Sequence, residues 1–278
     1  MPDLLASLSA PPSGRSRPVW FDSLAYCRAK LLADGPLPWA SPGELAAFTA
    51  KAQGMFGSDA LLVDVADLCA ERAMADPELR AAMGLRSRAG YALRTLLADD
   101  TVRTTAVDAV GAVSGGGAGT PVVLSMPSPA RWLTISSDLA GQPAEPADAD
   151  RADTAAMYVA DFLRVFGTVG VDGLLLDEGP VDAAELVPAD AYRPVLNVAE
   201  NYSWPTLIGT PAAAAWPNGA VAGVAGWIGT AAPQPAGPTW GWYAGADFWT
   251  GGDVPSDAGL VFAVVPEEAD PDSVMARV

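Results

Sequence analysis

Short apolar runs recur along this chain with helical segments between them, and that alternation restricts the fold more than any other feature. The runs are Val19-Trp20-Phe21, residues 60–65, residues 121–126, residues 171–176, Val195-Leu196, Thr206-Leu207-Ile208, residues 219–224 and residues 260–265. Such runs suit strands buried on both faces, between a core and a layer of helices. The helical segments carry their own signals. Ser41-Pro42 with Glu44 opens a helix that runs to about Gln53. Residues 77–97 and Thr101 to Val113 read as helical, and residues 151–166 form an amphipathic helix with Met157, Val159, Phe162 and Val165 inward. Strand, helix and strand in repetition imply right-handed crossovers and a parallel sheet. Eight strand candidates in 278 residues predict a single α/β domain, a (β/α)8 TIM-type barrel; an open doubly wound parallel sheet is the alternative. Residues 1–17, rich in Ser and Pro, read as a flexible leader, and residues 18–278 as the barrel.

Composition removes several chemistries. The chain has no histidine, so imidazole acid–base catalysis and imidazole metal ligation are excluded. Thirty-three acidic against 16 basic residues give a formal charge of −17. Nucleic-acid binding needs basic stripes, and the arginines here are dispersed with only Lys30 and Lys51 to support them. Cys27 and Cys69 make no disulfide framework and no metal or redox spacing, and read as two small core residues. The N-terminal stretch is too polar for a secretory leader, and no apolar run is long enough to span a membrane. A cytoplasmic protein is the expectation. The glycine cluster SGGGAGT follows a helix and precedes a strand, the reverse of a dinucleotide fingerprint, and reads as a loop on the wrong face for phosphate.

In a parallel barrel the reactive residues stand at the C-terminal ends of the strands. Four such ends carry polar or aromatic residues. Ser125 to Pro129 is followed by Arg131 and Trp132; Asp177-Glu178 follows the run GLLL; Asn197 to Tyr202 includes Glu200. Trp227 comes next, with Trp240, Trp242, Tyr243 and Trp249 in the loop expected after it. Asp177 and Glu178 cannot both point inward, since side chains alternate along a strand; one faces the mouth while the other caps a helix or pairs with arginine. A carboxyl group in an apolar, tryptophan-lined cavity has a raised pKa and suits proton transfer. Asp177, Glu178 and Glu200 are therefore the candidate catalytic residues. Ser128, Arg131, Trp132, Asn197, Tyr202, Trp227 and Trp242 are the candidates for binding substrate. Asp64 and Asp67, at another strand end, read as solvated acids or as oxygen ligands for a hard cation. The acidic loop from Gly141 to Asp150 reads as a surface insertion or a lid.

MPSPARWL and GLLLDEGP resemble strand ends of the superfamily of cobalamin-independent methionine synthase and uroporphyrinogen decarboxylase, over about residues 58–270. VLNVAENY then occupies the place where the methyltransferases carry His-x-Cys. The resemblance puts Asn197 at the zinc-binding His and Ala199 at the Cys, so it implies the barrel without the zinc site. The decarboxylase branch implies arginines near the N-terminus, where Arg15 and Arg17 stand, but the proline-rich leader and the negative charge oppose a polycarboxylated substrate.

The expectation is a metal-free lyase, hydratase or decarboxylase acting on a small apolar or aromatic molecule by carboxylate acid–base chemistry, with no cofactor. The alternatives are a methyl or alkyl transferase lacking the usual zinc site and a non-catalytic accessory barrel. An acidic surface suits a basic protein partner, and a homo-oligomer is the other association left open.

Overall fold

Eight strands among the described residues run parallel in one sheet, in the order β1-β8-β7-β6-β5-β4-β3-β2, nearly closed into a TIM-type barrel. This computed structural model describes residues 4–117, 119–143, 147–180, 186–211, 221–231 and 240–278. The first half contains α1 (Leu4–Ser9), β1 (Val19–Asp22), α2 (Leu24–Leu32), α3 (Pro42–Phe56), β2 (Leu61–Asp64) and α4 (Val65–Ala75), then α5 (Pro77–Met83), α6 (Tyr91–Leu97) and α7 (Asp100–Gly116). The second contains β3 (Val122–Pro127), α8 (Pro129–Leu139), α9 (Ala149–Leu163), β4 (Gly173–Asp177), α10 (Arg193–Asn201) and β5 (Thr206–Gly209). It closes with β6 (Val224–Gly229), β7 (Trp240–Ala244), α11 (Ala246–Trp249), β8 (Leu260–Val264) and α12 (Pro271–Met275).

The period-two alternation of each strand divides the apolar residues between two cores. Trp20, Ala60, Val123, Leu175, Leu207, Ile228, Leu260 and Phe262 fill the barrel interior. Their neighbours Phe21, Val63, Leu124, Leu174, Leu176 and Trp227 pack outward against the helices. Helix α1, part of the segment read from sequence as a leader, packs into the barrel floor. Leu4, at the start of α1, is buried in the interior core, and a Cβ on Gly173 would stand 2.2 Å from its Cδ2. Glycine at that inward position is what admits the plug.

The sequence-based strand assignments hold for β1, β2, β3, β4, β5 and β8. Three others change. Val195-Leu196 belongs to helix α10, where Val195, Leu196, Val198 and Ala199 are buried while Asn197 and Glu200 face out; that spacing is a helical stripe. The strand expected at 219–224 starts only at Val224, and residues 219–220 lie outside the described residues. Trp240, Trp242 and Tyr243, expected in a loop, are on strand β7. Residues 77–97 form two helices, broken between Met83 and Tyr91, where Gly90 takes a φ of +76°. On α9, Met157 is 58% exposed rather than inward. The glycine cluster does connect α7 to β3, at the N-terminal end of the strand.

The barrel's two edge strands, β1 and β2, meet along a seam bridged by one backbone bond and by the side chains of Ser58 and Asp59. The Asp59 backbone N–H donates to the Val19 carbonyl at 2.9 Å, and the Val19 N–H returns a bond to Asp59 Oδ2 at 2.9 Å. Above them the Ser58 hydroxyl accepts from the Phe21 N–H at 3.0 Å and donates to the Ala60 carbonyl at 2.7 Å. A hydroxyl inserted between two backbones satisfies both while holding them a side chain apart.

Candidate active site at the barrel mouth

Three strands end in aspartate after apolar runs: VWFD at Asp22, LLVD at Asp64 and LLLD at Asp177. Each Asp lies two residues beyond an inward-facing one, so all three turn into the barrel at its C-terminal end. With Ser125, Tyr243, Phe262 and Ile228 they line a cavity of about 60 Å³. Gly209 completes the wall from β5, leaving room there that a side chain would fill.

The aspartates differ in their partners. Asp64 is the N-cap of α4, its Oδ1 accepting from the N–H groups of Ala66 at 2.8 Å and Asp67 at 3.3 Å. Its carboxyl group is nonetheless pushed up to about 7, first by burial and then by the charge of Asp22. The two N–H donors pull the other way and lose. Asp22 is raised as well, by burial above all, against one N–H from Leu24 and with the charge of Asp177 adding to the rise. Both residues keep some surface toward the cavity while their carboxyl groups sit deep in the mouth. Asp177 pairs with the Arg131 guanidinium and accepts the Gly179 N–H at 2.9 Å. Tyr243 is raised to about 12 by burial and the charges of Asp177 and Asp22, so its phenol stays protonated as a donor for a bound molecule.

Glu178 points the opposite way from Asp177, into the layer between the strands and the helices, and is 5% exposed. Its Oε2 accepts from the Ser128 hydroxyl at 2.6 Å and the Tyr192 hydroxyl at 3.1 Å. Burial raises it to about 7 against those two bonds. Ser128 in turn caps α8, accepting the Arg131 N–H at 3.2 Å. Glu178 thus fixes the start of the helix that carries Arg131. Gly179 is required here twice over: its φ is +69°, and a Cβ would stand 2.8 Å from Arg131 Nε.

The residues singled out from sequence therefore separate. Asp177 lines the mouth with Arg131 paired to it, and Glu178 and Ser128 lie directly behind them. Trp132 is fully buried on α8, and Trp227 on β6 faces the outer core. Trp242 packs edge-on to Phe248, with ring centroids 6.1 Å apart. Asn197, Glu200 and Tyr202 are not at a strand end at all. Asn197 and Tyr202 border a surface groove with Asp153, Met157 and Arg164, and Tyr202 stacks on Trp204 at 4.8 Å. Glu200 is exposed on α10. The sequence reading missed Asp22 and gave Asp64 only a secondary place, although the repeated apolar-run-then-Asp pattern marks both. Asp67, half-buried on the first turn of α4, sits behind them and adds to the charge that raises both carboxyl groups.

Among the described residues, no group of three or more acidic or cysteine side chains could hold a metal ion. No described helix is long and apolar enough to cross a membrane. Neither the models of known protein families nor the curated proteins gave a match to this chain.

Proposed function

We propose that this barrel is an enzyme of the lyase or hydratase type, moving protons on a small neutral or cationic molecule at the mouth. One observation carries the reading: Asp64, raised to about 7, shares a cavity with Asp22 at the C-terminal end of a parallel barrel. The charge of Asp22 adds to the rise of Asp64, so near neutral pH Asp64 stands between its two protonation states beside a second carboxyl group, and the two can serve as acid and base. In an elimination, the ionised carboxylate removes a proton from carbon, and the electrons of that C–H bond form the new double bond. A leaving hydroxyl departs with the proton of the other carboxyl group, as water, whereas an ammonium group already carries its proton and departs as ammonia. Tyr243 and Ser125 supply hydroxyl donors that orient the substrate's oxygen or nitrogen. Three aspartates at the mouth disfavour an anionic substrate, which narrows the apolar or aromatic class expected from sequence toward polar neutral and cationic molecules.

In this site Asp177 anchors Arg131, Glu178 positions the start of α8, and Glu200, exposed on α10, takes no part. Kinship with the methionine synthase and uroporphyrinogen decarboxylase superfamily remains a proposal, supported by the two strand ends MPSPARWL and GLLLDEGP. VLNVAENY, aligned to the zinc-ligand strand, is helical here. A cytoplasmic setting is part of the same proposal, supported by two buried free thiols.

The test is exchange of substrate carbon-bound hydrogen with D2O, followed by NMR across small hydroxy and amino compounds. Exchange or elimination with the wild-type chain that disappears in Asp64→Asn and Asp22→Asn supports the reading. Turnover that survives both substitutions contradicts it.

A further inference from the structure

The mouth does not end at the barrel wall. A second cavity, of about 70 Å³, shares Asp22, Asp64 and Ser125 with the first and continues outward between β1 and β2. It reaches α2 and α3, lined by Phe21 of β1 and by Phe48, Thr49, Ala52 and Phe56 of α3. It exists because β1 and β2 are the sheet's edges, held apart by the Ser58 hydroxyl at the level of Phe21 and Ala60. One water needs roughly 10–15 Å³ by this measure, so the space takes on the order of five water-sized groups. Its two ends differ chemically: carboxyl groups at the mouth, aromatic and aliphatic faces in the seam.

We propose that the seam is a substrate subsite, and that the site takes a small primary ammonium compound with a short apolar arm. The charged head lies against Asp22 and Asp64, and the arm passes between β1 and β2 against Phe21, Phe48 and Phe56. The head group follows from charge: Arg131 at the mouth is already paired with Asp177, which leaves Asp22 and Asp64 facing the cavity. Aromatic walls beside the Asp22 and Asp64 carboxyl groups suit an alkylammonium ion at both ends. The inference rests on the mouth being the reaction site and extends it to substrate class.

The experiment is an NMR titration of the full chain with the n-alkylamine series from methylamine to hexylamine. Ala52→Leu and Thr49→Leu narrow the seam from α3 and leave the aspartates in place. Wild-type affinity is expected to rise about fourfold with each methylene until the seam is full. Both variants are expected to bind methylamine as the wild type does and to lose most of that gain. Methylamine binding with no dependence on chain length would overturn the seam subsite while leaving the mouth reading intact. A full chain-length gain retained in both variants would also overturn it, since the arm would then lie elsewhere. If the wild type binds no amine of the series, the ammonium assignment at the mouth fails and the subsite with it.

Discussion

Asp22 and Asp64 end the two edge strands of the sheet, and their carboxyl groups nevertheless line one cavity. The seam between those strands brings the two carboxyl groups to one place, and burial there raises both. Replacing either Asp with Asn keeps the shape and removes one proton position. Turnover is expected to fall by about 10²- to 10⁴-fold in each variant, the usual range for a general acid or base. The double variant should be little worse than either single one, because the residues act as a unit. Steady-state kinetics on the three proteins checks this.

Glu178 gives a prediction about stability and pH. Its folded-state value of about 7 lies above the usual 4.5, so between those pH values the folded chain holds a proton that the unfolded chain releases. The stability attached to that proton is complete below about 4.5 and is lost as pH rises through about 7. Glu178→Gln keeps an oxygen acceptor for Ser128 and Tyr192 and removes the titration. At pH 8 the variant is expected to be more stable than the wild type by about 1–3 kcal/mol, with the difference vanishing near pH 4. Urea unfolding at the two pH values measures it.

Ser58 holds the seam open, and its loss leaves the Phe21 N–H buried without its acceptor. Ser58→Ala is expected to cost about 1–3 kcal/mol, the desolvation penalty of one orphaned buried donor. Ser58→Thr retains the hydroxyl and is expected to recover part of that loss. Thermal unfolding of both variants separates a lost hydrogen bond from a general intolerance of substitution.

The floor offers a coupled pair. Gly173→Ala drives a Cβ into the end of the Leu4 side chain, which must turn away from its buried place in the barrel floor. Leu4→Ala alone empties a buried site and is expected to cost about 2–5 kcal/mol. The Gly173→Ala/Leu4→Ala double variant should be less destabilised than the two single effects added together, because each change removes the other's clash or cavity. A double-mutant cycle in denaturant reads the coupling.

The barrel was legible in the sequence because buried parallel strands are short apolar runs, and six of the eight stood out as such. The expected number of strands came out right through offsetting differences. Val195-Leu196 looked like a strand when two residues were read alone, although Val198 and Ala199 complete a helical stripe. Trp240-Gly-Trp-Tyr-Ala was hidden because a glycine inside the run and the surrounding glycines and prolines read as loop. At the site, alternation predicted that Asp177 and Glu178 would face opposite ways, and they do. The arginine partner expected for the acid turned away from the mouth is held by Asp177 itself, while Glu178 accepts from two hydroxyls. What the sequence did not reveal was which strand ends converge. Glu200 and Asn197 looked close to Asp177 along the chain, but a helix carries them away. Asp22, more than 150 residues distant along the chain, is brought into the same mouth by barrel closure. The tryptophans suggested an aromatic pocket, yet Trp132 and Trp227 serve the core between strands and helices. Residue type alone does not separate those two uses of an aromatic ring.

The most direct measurement is a pH titration of the chain labelled with 13C at its aspartate carboxyl carbons, followed by NMR and compared with Asp64→Asn. The account predicts one signal with a midpoint near pH 7 that is missing from the variant. A spectrum in which the Asp64 signal titrates near pH 4, with the solvated aspartates, would contradict a mouth built to hold a proton at neutral pH.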